Sequence, residues 1–184
     1  MPRQNLFPFS IYTLVAIAGL NAQSLPTLDI PKSIWEPIFF ESINRVAKNA
    51  ELPNLRTTPV NREDFECRIW EGFGLSPLHG YVLRRTNGTW SAIELEDQHS
   101  RVLKPSKSHV WARLWEELLN AGIRSIRDES KMKHNEGVMD GICYVVEILE
   151  NSKYQTFMVD NPQIIKSSDG ARMLKVMKIL HRHF

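Results

Sequence analysis

Apolar residues recur at intervals of three and four in three stretches of the chain, which is the spacing of an amphipathic helix. The stretches are 33–50, 108–121 and a final one that begins near Ser168 or Asp169. Their predicted buried stripes are Trp35, Phe39, Ile43, Val46, Ala47 and Ala50, then Trp111, Leu114, Trp115 and Leu118, then Met173, Val176, Met177 and Leu180. We therefore expect three helices, each with one apolar face to cover.

The start of the first helix has two interpretations. Residues 33–36 read Ser-Ile-Trp-Glu and match a capping box, in which Ser33 and Glu36 bond to each other's backbone amides. Pro37 conflicts with that box and instead fits the first helical position, where a proline loses no hydrogen bond. The end of the second helix is clearer, because Gly122 is a typical stop signal.

Alternating and β-rich runs predict strands at 65–70, at 80–86 with 89–95, and at 141–149 with 154–159. The pair around Asn87-Gly88 is a hairpin, because both residues tolerate the positive φ of a type I′ turn. That turn sets Arg85 opposite Trp90, Val82 opposite Ile93 and Leu83 opposite Ala92. Residues 150–153 form the second turn, and 123–127 are a possible short strand.

The element order predicts the fold class. Tight turns join antiparallel strands, and the helix stripes need a sheet face to pack against. We therefore expect an α+β domain, with an antiparallel sheet built from two hairpins plus one further strand and three helices packed mainly on one face.

The first 22 residues have the order of a secretory signal peptide. Arg3 precedes an apolar run at 11–18, and small residues then allow cleavage after Ala18 or Ala22. The run is shorter than the ~20 apolar residues that cross a bilayer, and a buried N-terminal helix is the alternative. We expect residues 1–22 to be a leader and residues 23–184 to be one domain in the periplasm or outside the cell.

The amino-acid composition limits the classes of binding partner that can be expected. Of the 184 residues, 42% are hydrophobic and 24% are charged, which is typical of a globular domain. Lys and Arg number 23 against 21 Asp and Glu, so no basic surface for nucleic acid is expected. No later segment is apolar enough to span a membrane. The expected partner is a protein or a small ligand of unknown identity.

Cys67 and Cys143 are the two cysteines. In an oxidising compartment an even count permits one disulfide. Two buried free thiols are the alternative, since a free cysteine packs as a small hydrophobe. Both residues fall in predicted strands, so a bridge requires those strands to be close.

The catalytic signatures of serine hydrolases, zinc proteases, dithiol proteins and nucleotide-binding loops are missing from the sequence. No cofactor is expected. The tightest histidine pair, His181 and His183, lies two positions apart, which on a helix directs the two rings about 200° apart. We expect a frayed, solvated terminus there and no metal site.

Two segments contain candidate chemistry. Glu147 interrupts an apolar face, and a carboxylate in such a setting has a raised pKa and serves as an acid or base. Alternatively, that face is partly solvated and Glu147 pairs with Thr156 or a base. At 70–74, Trp70, Glu71 and Phe73 stand beside glycines, which suggests a shallow ligand groove suited to a sugar ring. The alternative is that the tryptophan is a core anchor.

The closing segment resembles that of uncharacterised bacterial exported α+β proteins. The matching residues are Asp140-Gly141, Tyr144-Val145-Val146-Glu147, Tyr154 and Asp160-Asn161-Pro162, followed by a helix. Residues 68–74 and the helix at 111–122 are similar to the middle part of such proteins. The resemblance implies the fold and a bacterial origin, and no activity.

These observations favour an exported, non-enzymatic domain that binds a protein or a small ligand. The alternative is a secreted hydrolase or carbohydrate-active enzyme that uses Glu71 or Glu147 with a histidine. A structural or assembly subunit is a third hypothesis, which would show a large exposed apolar patch or an unpaired strand edge.

Overall fold

The computed structural model describes residues 23–73, 77–96, 99–103, 108–132, 141–164 and 167–184. The predicted leader at 1–22 lies outside these residues. The strands are β1 Thr27–Asp29, β2 Phe65–Gly72, β3 His79–Thr86, β4 Thr89–Glu96, β5 His99–Leu103, β6 Cys143–Glu150 and β7 Lys153–Asp160. The helices are α1 Trp35–Asn49, α2 His109–Asn120 and α3 Ser168–His183.

The described strands form one sheet in the order β1-β7-β6-β2-β3-β4-β5. All neighbours are antiparallel except β1, which is parallel to β7. The α+β class is confirmed, but the prediction of a purely antiparallel sheet is wrong at this edge. Strand β1 has only three residues, too few to show a period, and it is held by long-range bonds such as Thr27 N–H to Ser152 O at 2.9 Å.

Both predicted hairpins are present. Asn87 and Gly88 have φ values of 49° and 76°, and the predicted register of 82–85 against 90–93 is confirmed. The Arg85 guanidinium carbon lies 5.5 Å from the centroid of the Trp90 ring. In the second hairpin Asn151 and Ser152 supply the two positive φ values, 51° and 58°. The two-residue turns set the registers of both halves of the sheet.

The helix boundaries correct two predictions and confirm a third, the start of α3. Helix α1 begins at Trp35 after Ile34, without a side-chain cap, so the capping box is wrong. The alternative start at Pro37 is wrong too, since Pro37 is the third helical residue, still in the first turn where its missing N–H has no partner to lose. Helix α3 begins at Ser168 and is capped by Ser167. The possible strand at 123–127 is instead a 3₁₀ turn over Ile123–Ser125, because Gly122 at φ 87° reverses the chain.

The helices cover both faces of the sheet. Helices α2 and α3 pack on one face of the sheet and form the larger core with it. Helix α1 packs on the other face, against Trp70, Val82 and Val145. The prediction that the helices lie mainly on one face is therefore wrong for α1. The reason is visible in β2, where residues 65–70 are all buried, including the polar ones, so both faces of the strand need cover.

Cys67 and Cys143 are free thiols, so the possible disulfide is not formed and the alternative of two free thiols is confirmed, with Cys67 buried and Cys143 partly buried. Cys67 packs on the α2–α3 side and Cys143 on the α1 side. In the β2–β6 register Cys67 is opposite Ile148 and Cys143 is opposite Gly72, five positions along β2. Burial raises the pKa of both thiols, and for Cys143 the hydrogen bond to Asp160 adds to that effect.

Candidate functional site

Glu147 lies in the protein interior and both of its oxygens are used there. The residue is 2% exposed. Trp70 Nε1–H donates to its Oε2 at 2.8 Å, and the Tyr154 hydroxyl donates to its Oε1 at 2.8 Å. Thr156 is opposite in the register but donates instead to the carbonyl of Val146. The predictions of a partly solvated face and of pairing with Thr156 are therefore wrong, and Glu147 has no access to a ligand.

Further buried charges lie on the same α1 side of the sheet. Arg68 is 1% exposed and donates from Nε to Glu66 Oε1 at 2.6 Å and from Nη2 to the carbonyl of Pro53 at 2.7 Å. Arg84 Nε donates to the other oxygen of Glu66 at 2.6 Å. Each buried charge meets an opposite charge or a dipole, which is the condition for keeping charges out of water. These contacts indicate a structural role.

The groove predicted at Trp70 and Phe73 is not formed by these side chains. Trp70 has no exposed surface, and its ring lies against Gly80, where an added Cβ would be 2.6 Å from ring atom Cζ3. Phe73 is half-buried and packs on Phe39, with ring centroids 4.4 Å apart. Gly74 lies outside the described residues. The aromatic pair is part of the α1-side core.

Glu71 is on the other face of β2, in a row of polar residues across four strands. Tyr144 on β6, Glu71 on β2, His79 on β3 and Glu96 on β4 occupy directly opposed positions in three successive ladders. All four are within two residues of a strand end. Strand pairing therefore places them side by side at one end of the sheet.

This row borders a cavity of about 570 Å³, which we call the strand-end cleft. Its described polar lining comes from the row and from one residue of α3, and its apolar lining comes from the segments that flank the strands. The lining residues are Glu71, His79, Glu96, Tyr144 and His181, with Gly72, Pro77, Leu78 and Ile142. The volume falls in the range of small-molecule sites, roughly 300–1,000 Å³.

Glu71 is oriented by two partners that use the same oxygen. The Tyr81 hydroxyl donates to Oε1 at 2.8 Å, and His181 Nε2 lies 3.3 Å from that oxygen. Oε2 takes no hydrogen bond from any described residue, and the side chain is 20% exposed. Burial raises the pKa of the Tyr81 hydroxyl, and its bond to Glu71 raises it further, so Tyr81 stays a donor at neutral pH. One carboxylate oxygen is thus held by Tyr81 and His181, and the other has no hydrogen bond to the described part of the chain.

A second acid–imidazole contact lies beside the first. His79 Nε2 is 3.3 Å from Glu94 Oε1, although the angle is not that of a hydrogen bond. The centroid of the Tyr81 ring lies 4.7 Å from that of the His79 imidazole and 5.8 Å from that of the His181 imidazole. Tyr81 therefore packs against both histidines.

The last turn of α3 is tied to α2 and to the sheet. Arg182 forms an ion pair with Glu117, and His183 Nε2 lies 3.4 Å from the same carboxylate. Phe184 packs on the rings of Tyr81 and Trp111, at 5.1 and 5.7 Å. The prediction of a frayed terminus is therefore wrong, since α3 continues to His183, but the side chains of His181 and Arg182 are exposed to solvent as predicted. These contacts hold His181 at the rim of the cleft.

Within the described part of the chain, no three histidine, cysteine or acidic side chains are grouped closely enough to hold a metal ion. Over the same residues, no helix combines the length and the apolar character that a membrane span requires. Comparison with protein-family models, curated proteins and solved structures found no match to this chain. The strand-end cleft is therefore the feature of the described structure that bears on function.

Proposed function

We propose that this chain is an exported domain that binds a small ligand in the strand-end cleft. The observation that carries the proposal is the state of Glu71. Tyr81 and His181 hold one carboxylate oxygen, the other has no hydrogen bond to a described residue, and Glu71 lines a cavity of ligand size. A site of this kind has an apolar wall and a few placed polar groups, which together fix the orientation of a ligand.

The binding proposal is tested by NMR on the full chain against a mixed set of neutral, cationic and anionic small molecules. Ligands are expected to shift the backbone amides of Gly72, Leu78 and Ile142, which line the cleft. Glu71→Ala should abolish these shifts. Glu41→Ala is the matched control, because Glu41 is an exposed glutamate on α1 across the sheet. Shifts confined to other surfaces would contradict the proposal.

The export part of the proposal rests on the residue order at 1–22. Expression of the full gene in a bacterial host, followed by N-terminal sequencing of the protein outside the cytoplasm, is expected to show a start after Ala18 or Ala22. Soluble cytoplasmic protein that retains Met1 would refute export and leave the cleft proposal standing.

One observation favours a second candidate, a hydrolase. The 3.3 Å contact between Glu71 and His181 is a geometry in which a carboxylate orients an imidazole for proton transfer. Glu147 does not take part, because its two oxygens bond to Trp70 and Tyr154 inside the protein. Turnover of chromogenic esters or glycosides that disappears in both Glu71→Gln and His181→Ala would establish the enzyme. Binding without turnover would retain the first proposal.

A further inference from the structure

We infer that the strand-end cleft selects an organic cation, a protonated primary amine attached to an apolar body. The inference rests on the proposed function, that is, on the cleft being a ligand site. It adds the charge and the shape of the ligand, and it follows from three features of the lining.

The first feature is the sign of the lining charges. Among the described lining residues the acidic side chains are Glu71 and Glu96, the titratable bases are His79 and His181, and there is no lysine or arginine. A ligand carboxylate or phosphate would face two like charges without a permanent cation to offset them. An ammonium group would face two opposite charges, which a partly enclosed site strengthens relative to water.

The second feature is the placement of hydrogen-bond acceptors. Glu71 keeps Oε2 for an incoming donor, while Oε1 is held by Tyr81 and His181. Glu96 is exposed and lies two strands away in the same row, with His79 between them. Neighbouring strands are about 4.8 Å apart, so the two backbone positions are separated by roughly 10 Å. An ammonium group has three donors and no acceptor, so one N–H can meet Glu71 Oε2 while Glu96 adds a second negative charge along the same row.

The third feature is the apolar wall. Pro77, Leu78 and Ile142 line the cleft together with the Tyr144 ring. Ile142 is 40% exposed, so covering it removes apolar surface from water. Burial and the nearby Glu71 charge raise the pKa of the Tyr144 hydroxyl, which keeps the ring neutral beside a cation. A hydrated metal ion would leave this wall unused.

A neutral sugar matches the cleft less well than an amine. Sugar rings are held by exposed aromatic faces, and the tryptophan next to Glu71 in the sequence, Trp70, is entirely buried on the other side of the sheet. Its indole N–H is also taken by Glu147. The ring that does line the cleft, Tyr144, is itself largely buried at 6% exposure.

The test uses three probes with the same aromatic body and different charge: benzylamine, benzyl alcohol and benzoate. The full chain is titrated with each, and binding is followed by the amide shifts of Gly72 and Ile142. Benzylamine is expected to bind about tenfold more tightly than benzyl alcohol, since a charge-assisted hydrogen bond is stronger than a neutral one. Benzoate is expected to bind most weakly. Added salt should weaken the binding of benzylamine and leave the binding of benzyl alcohol unchanged.

Two variants locate the charge. Glu71→Gln and Glu96→Gln should each lower the affinity for benzylamine by about tenfold while leaving benzyl alcohol nearly unchanged. Glu41→Gln removes a negative charge from helix α1, on the far side of the sheet, and should change neither the affinity for benzylamine nor that for benzyl alcohol. If Glu71 had only a structural role, Glu71→Gln would instead lower the affinity for benzylamine and for benzyl alcohol together.

The outcomes separate the inference from the proposed function. If benzyl alcohol or benzoate binds in the cleft as tightly as benzylamine, the cation inference is overturned and the binding site stands. If no probe shifts the cleft amides, or the shifts map elsewhere, both are overturned. Preferential binding of the amine, lost in the two glutamine variants and kept in Glu41→Gln, supports both.

Discussion

Glu71 and Glu147 are carboxylates on adjacent strands and on opposite faces of the same sheet, and they differ in what the protein does with their oxygens. Glu147 is buried under α1, and Trp70 and Tyr154 occupy both of its oxygens. Glu71 lies at the strand ends, and Tyr81 and His181 share one oxygen. Glu147, with both oxygens bonded inside the protein, has a structural role, whereas Glu71 has one oxygen without a hydrogen bond to a described residue and is the group that we propose contacts a ligand.

The largest effect on stability is expected from Glu147→Ala. The substitution leaves the Trp70 indole N–H and the Tyr154 hydroxyl without their acceptor in the interior, which should lower the free energy of unfolding by about 2–5 kcal/mol. Urea denaturation measures the change. Glu71→Ala is the comparison, and it should cost less than about 1 kcal/mol because its side chain is partly exposed. Equal losses would remove the distinction between the two glutamates.

A smaller loss is expected from Gly80→Ala, which tests the packing beneath Trp70. The added methyl would lie 2.6 Å from ring atom Cζ3, so the ring or strand β3 has to shift, at about 1–3 kcal/mol of stability. In a Trp70→Leu background the same methyl should cost less, because the ring edge is gone. An unchanged urea midpoint for Gly80→Ala alone would contradict the tight packing on the α1 side.

Much of the scaffold could be predicted from the sequence because its signals are local. Asn87-Gly88 specifies its own turn, and that turn determines which residues of 82–86 and 89–93 are opposite each other. The stripe of α3 needs only its own period, and Met173, Val176, Met177 and Leu180 are all buried as predicted. Such features depend on neighbours within a few positions along the chain.

The predictions are wrong where contacts between segments distant in the sequence determine which side chains are buried. Glu66 and Arg68 are charged residues that alternate with apolar ones in β2, a pattern typical of a strand with one solvated face. They are instead buried, where Glu66 pairs with Arg68 and Arg84 and Arg68 donates to the carbonyl of Pro53, so alternation does not reveal that this face is covered. The choice between a disulfide and two free thiols also depends on distant segments, since only the strand order shows that the two cysteines lie on opposite sides of the sheet.

The candidate site was predictable in part. Glu71 with a histidine was one of the sequence hypotheses, but no local signal selects His181, which is 110 positions away. His79, Glu96 and Tyr144 enter the site only through the strand register. Residue type alone suggests Trp70 and Phe73 as groove residues, but the alternation of the strand places Trp70 on the opposite face from Glu71.

The smallest effect is expected at Glu117, which ties the last turn of α3 and hence His181. Burial by itself would raise the pKa of Glu117, but contacts with His183 and Arg182 outweigh it and lower that pKa. Its stabilising contribution is therefore present above the ordinary glutamate pKa of about 4.3 and is lost as the pH falls below it. The stability difference between wild type and Glu117→Gln should be small at neutral pH and should vanish in acid. A difference that grows in acid would contradict the assignment.

The most direct test of the division between the two faces is to compare Glu71→Gln with Glu147→Gln in two assays, benzylamine affinity and the urea midpoint of the full chain. The account predicts that Glu71→Gln loses about tenfold in affinity and keeps its midpoint, whereas Glu147→Gln loses about 1–3 kcal/mol of stability and binds normally while folded. A loss of benzylamine affinity in Glu147→Gln, together with an unchanged affinity in Glu71→Gln, would contradict the account.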